Sequence, residues 1–198
     1  VLGTMYWVNP NYSRAEIERD FARIVENNLT MIRVFAWWER LEQREGAFEF
    51  QQHDLVYEAA EKHGIGIMES LGLYPPFWLK RELASVGIED RTRYYCLDRP
   101  EVAEPMARYI EAVVTRYRGA SALRMWNVWN EPTQPACHCP HTRKKFLAWL
   151  RARYPTTESL RRAWLSESGV FEGLCPEDRE LLDETWLDDA FRFGSRGR

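Results

Sequence analysis

Met31-Ile32-Arg33-Val34-Phe35-Ala36-Trp37-Trp38 is a run of β-branched, aromatic and other apolar residues interrupted by a single charge. A stretch that is apolar at nearly every position, not at every second one, is what a strand covered on both faces requires, as in parallel sheets. Upstream, Leu2 to Trp7 reads as another strand, stopped by the turn residues Asn9-Pro10-Asn11. Between the two, Ser13 and Glu16 have capping-box spacing, and Ile17, Phe21, Ile24 and Val25 follow at helical spacing. Downstream, residues 39 to 52 read as a loop. Leu55, Val56, Ala59, Ala60 and His63 then mark one helix face, closed by Gly64 as a C-terminal cap.

The same alternation continues. Ile65 to Leu71 is a third strand and runs into the stiff aromatic loop Tyr74-Pro75-Pro76-Phe77-Trp78. After an irregular stretch, Asp98 and Glu101 open a helix carrying Met106, Tyr109, Ile110, Val113, Val114 and Tyr117. Leu123 to Glu131 is a fourth strand, and helices are expected over 144–153, 157–165 and 178–193. Repeated strand-then-helix units point to an α/β fold with parallel strands under helices. Doubly wound sheets and (β/α)8 TIM barrels both fit that pattern. The Gly-rich phosphate loop of nucleotide-binding folds is missing after every strand, which weakens the doubly wound reading. A complete barrel takes about 250 residues, so a barrel here amounts to the first four strand–helix units, spread over one domain, residues 1–198.

Composition narrows the function. The 198 residues are 45% hydrophobic and 29% charged, an ordinary globular balance. A net charge of −3 and a pI near 5.9 supply no general attraction to nucleic acid or to an anionic membrane. No apolar run approaches the roughly 18 residues of a membrane span, and no secretory leader is visible. The chain opens at Val1 inside a strand, so an upstream stretch is expected to be missing. Four cysteines, at 96, 137, 139 and 175, are too few and too unevenly spaced for a disulfide scaffold, which suggests a reducing, cytoplasmic setting. Nine Trp, nine Tyr and nine Phe suit a core but equally suit a cleft in which sugar rings stack on aromatic planes.

In parallel α/β folds the chemistry gathers at the C-terminal ends of strands. The fourth strand ends Trp126-Asn127-Val128-Trp129-Asn130-Glu131-Pro132. A carboxylate walled by indoles and preceded by an amide has its pKa raised by burial, which suits a general acid protonating a leaving oxygen. The alternative is a glutamate that caps the next loop at an ordinary pKa. Glu69 is the other carboxylate within a strand core, and it reads as structural or substrate-facing.

Asn130-Glu131-Pro132 closing a fourth strand resembles the acid/base motif of clan A glycoside hydrolases. Val34-Phe35-Ala36-Trp37, Leu41-Glu42, Glu45-Gly46 and Phe48-Glu49-Phe50 resemble family 42, the β-galactosidase group. So do Pro75-Pro76-Phe77-Trp78-Leu79, Arg93-Tyr94-Tyr95-Cys96, Cys137-His138-Cys139 and Lys145-Phe146-Leu147-Ala148-Trp149-Leu150 with Tyr154, all in family order. The resemblance implies a retaining glycosidase acting on terminal β-galactosides. Glu131 matches the acid/base, Asn130 the amide that bonds the sugar beside the reacting carbon, and Arg33 the second-strand arginine that steadies the nucleophile. The nucleophile itself belongs to a seventh strand, so these four units alone are expected to be inactive.

The resemblance also implies a structural zinc held by Cys96, Cys137 and Cys139, with Thr142 at the fourth family position and the neighbouring His141 as the replacement ligand. No organic cofactor is implied. The expected partners are a carbohydrate substrate and, through open sheet edges, a second copy of the chain. Other readings are a different clan A activity, of the β-xylosidase or β-glucanase type, and a truncated barrel without catalysis. Asn-Glu-Pro is commoner elsewhere in the clan than in family 42, which keeps the first of these open.

Overall fold

The computed structural model describes residues 1–88, 95–130, 139–156, 159, 162 and 163. The chain divides into two compact units, one formed by Val1–Tyr95 with Glu101–Pro132 and the other by Cys96–Pro100 with Thr133–Arg198. In the first unit, β1 (Gly3–Met5), β2 (Met31–Trp37), β3 (Gly66–Gly72) and β4 (Leu123–Asn127) form one parallel sheet in the order β1-β2-β3-β4. The order is the decisive observation. A doubly wound sheet reverses direction at a switch point and carries helices on both faces, whereas sequential order with crossovers of one hand carries every helix to one face. The architecture is therefore about four units of a (β/α)8 barrel, as the sequence leads one to expect.

Helix α1 (Arg14–Glu26) begins at a complete capping box: the Ser13 amide donates to Glu16 Oε2 at 2.7 Å, and the Glu16 amide donates back to Ser13 Oγ at 3.3 Å. It buries Ile17, Phe21 and Ile24, each contributing about 1.5–3 kcal/mol of transfer free energy. After β2 come a short helix α2 (Trp38–Leu41), inside the segment expected to be loop, and α3 (Gln51–His63). Gly64 ends α3 at φ 66°, a left-handed conformation that costs glycine little. Lys62 and His63 of α3 reach Glu18 of α1 at 2.8 and 2.9 Å, and Arg14 pairs with Glu58.

The stretch after Pro75-Pro76 is not a loop throughout. Pro76 is the N-cap of α4 (Phe77–Ser85), where a proline costs no hydrogen bond, and the good helix formers from Leu79 to Ala84 carry the helix on. Helix α5 (Pro100–Tyr117) buries Val102, Met106, Tyr109, Val113 and Tyr117. The Tyr109 hydroxyl donates to the Ala36 carbonyl, and Tyr117 stacks on Tyr57 of α3 with ring centroids 4.1 Å apart. In the second unit, α6 (Pro140–Arg153) starts four residues earlier than its apolar pattern suggests, since Pro140 fits the first helical turn. Leu150 is its buried residue, and Trp149 is half exposed. The helices expected over 157–165 and 178–193 fall largely or wholly outside the described residues. Among the described residues, no helix is long and apolar enough to cross a membrane.

Candidate active site

Strand alternation sorts the side chains of β2 and β3 into two layers. Ile32, Val34 and Ala36, with Ile67, Glu69 and Leu71, are buried on one face. Arg33, Phe35 and Trp37, with Met68, Ser70 and Gly72, share the other, because the register pairs Arg33 with Met68, Phe35 with Ser70 and Trp37 with Gly72. At the C-terminal ends of the strands a cleft opens, lined from this second face by Phe35, Trp37 and Gly72 and beyond the strands by Tyr74, Trp129 and Asn130.

Arg33 lies on the same strand face and is bonded to the lining residue Asn130. The guanidinium donates from Nε to Ser70 Oγ at 2.8 Å and from Nη2 to Asn130 Oδ1 at 2.8 Å, and it lies 4.6 Å from the centroid of the Phe35 ring. One side chain of β2 therefore ties β3 to the segment that follows β4. Around it the aromatic rings form a continuous wall. Trp7 stacks on Phe35 at 5.6 Å, Phe35 on Trp37 at 4.7 Å, and Trp37 on Tyr74 at 5.3 Å. Gly72 makes room for this wall: a Cβ there would sit 2.5 Å from Trp37 Cε3. Beyond β4, the Trp129 amide donates to Asn127 Oδ1 at 3.1 Å, an Asx turn that sets the backbone leading to Asn130.

Two of the expected site residues, Arg33 and Asn130, are thus in direct contact. Glu131 follows Asn130 in the chain and lies outside the described residues, as does Cys137. Ser70 and the stacked rings were not singled out as site residues from the sequence. The signal for the rings was present, since Arg33, Phe35 and Trp37 have the period of two that puts them on one strand face.

Glu69 is not substrate-facing. It is fully buried on the opposite face, in the layer between sheet and helices. The Tyr57 hydroxyl donates to its Oε2 at 3.0 Å, and His53 Nε2 stands 3.6 Å from its Oε1. Burial and then the Glu69 charge push the Tyr57 phenol far up, so it stays a neutral donor. Burial and then Asp54 do the same for Tyr117. Glu69 is therefore held by α3 and points away from the cleft.

The zinc expectation is overturned. Among the described residues no group of three or more His, Cys, Asp or Glu could hold a metal ion. Cys96 and Cys139 do approach, with Sγ atoms 3.4 Å apart, but Thr142 Oγ1 lies beside them, 3.2 Å from Cys96 Sγ and 3.6 Å from Cys139 Sγ. The physical reason is helical geometry. Cys139 is the N-cap of α6, so Thr142, three residues on, returns to its side, while His141 is rotated about 100° away. In the same unit Asp98 meets Lys145 at 3.1 Å. Burial pushes the Asp98 carboxyl up, but hydrogen bonds from Thr142 and Lys145 outweigh it and hold the group below the usual carboxylate range.

A family model described as Beta-galactosidase, for glycoside hydrolase family 42, matches residues 7–168. The chain is 28% identical over 174 residues to the β-galactosidase BgaB of Geobacillus sp. (strain Y412MC61), covering 79% of this chain and 25% of that protein. It is 30% identical over 181 residues to the β-galactosidase BgaA of Thermus sp., covering 83% of this chain and 27% of that one. The chain spans about a quarter of the length of these curated relatives. Among solved structures, the β-galactosidase of Halorubrum lacusprofundi superimposes with a TM-score of 0.69 at 24% identity, over 98% of this chain and 34% of that one. The β-galactosidase of Marinomonas ef1 gives 0.69 at 19%, over 95% and 29%. At those identities the likeness is one of fold.

Proposed function

This chain belongs to glycoside hydrolase family 42, and on that premise we propose that it forms the N-terminal half-barrel of a retaining hydrolase of terminal β-galactosides. Glu131 is the general acid/base. It protonates the glycosidic oxygen as the bond to the anomeric carbon breaks, while a carboxylate from a later strand attacks that carbon from the opposite face. In the second half-reaction Glu131 takes a proton from the water that releases the sugar. Asn130 holds the hydroxyl next to the reacting carbon, Arg33 orients Asn130, and the ring wall around Trp37 supplies a stacking surface for the sugar.

The observation that carries this reading is the convergence of Arg33 and Asn130 at 2.8 Å, on the cleft side of the strand ends and one residue before Glu131. Glu69 is excluded as the second carboxylate by its place in the helix layer. The test is Glu131→Ala in the full-length protein. Hydrolysis of β-galactosides with poor leaving groups should fall about 10²–10⁴-fold, the usual worth of general acid assistance. Bond cleavage in activated aryl β-galactosides, whose leaving groups need no proton, should survive far better, and azide should restore turnover. An equal loss on both substrate types would refute the role. Preference for an aryl β-xyloside or β-glucoside over the galactoside would move the substrate elsewhere in clan A, a possibility that Asn130-Glu131-Pro132 favours.

A further inference from the structure

Three polar side chains, Ser70, Arg33 and Asn130, are joined by hydrogen bonds, and of the three only Asn130 lines the cleft. Ser70 is fully buried on β3, between Phe35 of β2 and Asn127 of β4 in register. Its hydroxyl oxygen accepts the Nε–H of Arg33 at 2.8 Å, and Arg33 in turn donates through Nη2 to Asn130 Oδ1 at 2.8 Å. We infer that Ser70 is a positioning residue, which acts through Arg33 to fix the direction in which Asn130 presents its amide to the sugar. This rests on the role proposed above for Asn130.

The argument is one of donors and acceptors. A guanidinium has five N–H donors and no acceptor. Whatever faces Arg33 Nη2 is therefore an acceptor, and for an amide side chain that is Oδ1. With Oδ1 committed, the two Nδ2 hydrogens are directed elsewhere, as donors for a sugar hydroxyl. The orientation holds only while the guanidinium keeps its own rotation. Phe35, with its ring centroid 4.6 Å from Arg33 Cζ, restrains the plane but not rotation within it, because a ring face offers no directional partner. The directional restraint is Ser70. Removing its oxygen leaves Nε–H without that acceptor at a position where Ser70 is fully buried, so the guanidinium turns to find another and Asn130 loses its fixed partner. Hydrogen bonds to the hydroxyl beside the anomeric carbon strengthen in the glycosidase transition state, so the cost should appear mainly in kcat.

The experiment compares wild type, Ser70→Ala and Ser70→Thr in the full-length protein, with 4-nitrophenyl β-galactoside and its 2-deoxy analogue. Ser70→Ala removes one oxygen from a small buried side chain. On the galactoside, kcat should fall about 10- to 30-fold, the size expected for losing one charge-assisted hydrogen bond, with KM changing less than about 3-fold. On the 2-deoxy substrate, which lacks the hydroxyl that Asn130 would hold, the Ser70→Ala loss should shrink to about 3-fold or less. Ser70→Thr, which keeps an oxygen at the same position, should restore most of kcat. A crystal structure of Ser70→Ala should show the Arg33–Asn130 contact broken or re-aimed. The same loss on both substrates, or an unchanged contact in the Ser70→Ala crystal, would overturn the positioning role. Wild-type inactivity toward the galactoside would instead overturn the proposed function, and the crystallographic arm would still decide what Ser70 does.

Discussion

Glu69 and Ser70 are neighbours in the chain and both are fully buried, yet they belong to different parts of the molecule. Glu69 faces the helices, where the Tyr57 hydroxyl of α3 donates to it and His53 Nε2 stands 3.6 Å away. Ser70 lies on the opposite face, with Phe35, and accepts from Arg33. A strand turns successive side chains to opposite faces, so one step along β3 crosses from a layer that holds the fold together to a layer that arranges a site. The residue with the more reactive side chain lies on the structural side. A polar residue inside a parallel strand is therefore to be assigned by its face before its chemistry is considered.

Four substitutions break or sharpen this division. Glu69→Ala should have the largest effect, about 3–5 kcal/mol of lost stability, because it removes one partner from a buried polar cluster and leaves the Tyr57 hydroxyl unsatisfied. Denaturant titration measures it, and specific activity of the remaining folded protein should stay within about 3-fold. Loss of activity at unchanged stability would place Glu69 with the site after all. Arg33→Ala should behave in the opposite way, lowering kcat/KM for an aryl β-galactoside on the order of 100-fold, or about 2.7 kcal/mol, through misplacement of Asn130. Its unfolding midpoint should move far less than that of Glu69→Ala. If the two variants lose stability equally, the division between the faces fails.

Gly72→Ala should move both readouts together. The added Cβ would meet Trp37 at 2.5 Å, so the indole must leave its stack on Phe35 and Tyr74. Overpacking of this kind costs about 1–3 kcal/mol, and activity should fall with it because Trp37 lines the cleft. Ser13→Ala has the smallest expected effect, about 1 kcal/mol from the lost N-cap of α1, read as a lower melting temperature with kinetics unchanged. A kinetic defect there would mean that the outer layer reaches the site by a route absent from the contacts described above.

Much of this layout is legible in the sequence, and the reasons differ from element to element. Apolar runs located β2 and β3 because buried parallel strands tolerate few polar residues, and Ser13 with Gly64 marked helix ends because cap chemistry is local. Helix α4 was obscured by Pro75-Pro76, which stops what comes before it but starts what comes after. The contact between Arg33 and Asn130 spans 97 positions, and no local pattern encodes it; resemblance to a family named both residues, and folding brought them together. Glu69 was ambiguous because a lone carboxylate in a strand has no sequence mark of its face until the register is known. The zinc ligands were carried over from the family resemblance, with His141 taken as the fourth because it adjoins Thr142 in the chain. Spacing along a chain does not say which side of a helix start a side chain takes, and α6 turns Thr142, not His141, toward the cysteines.

The central proposal is that this chain is part of a retaining β-galactoside hydrolase. Retention is read directly from the configuration of the first sugar released. Proton NMR of the full-length protein acting on 4-nitrophenyl β-galactoside should show the anomeric signal of β-galactose first, with the α anomer growing later by mutarotation, as a double displacement requires. Appearance of α-galactose first, or no galactose at all, would contradict the account.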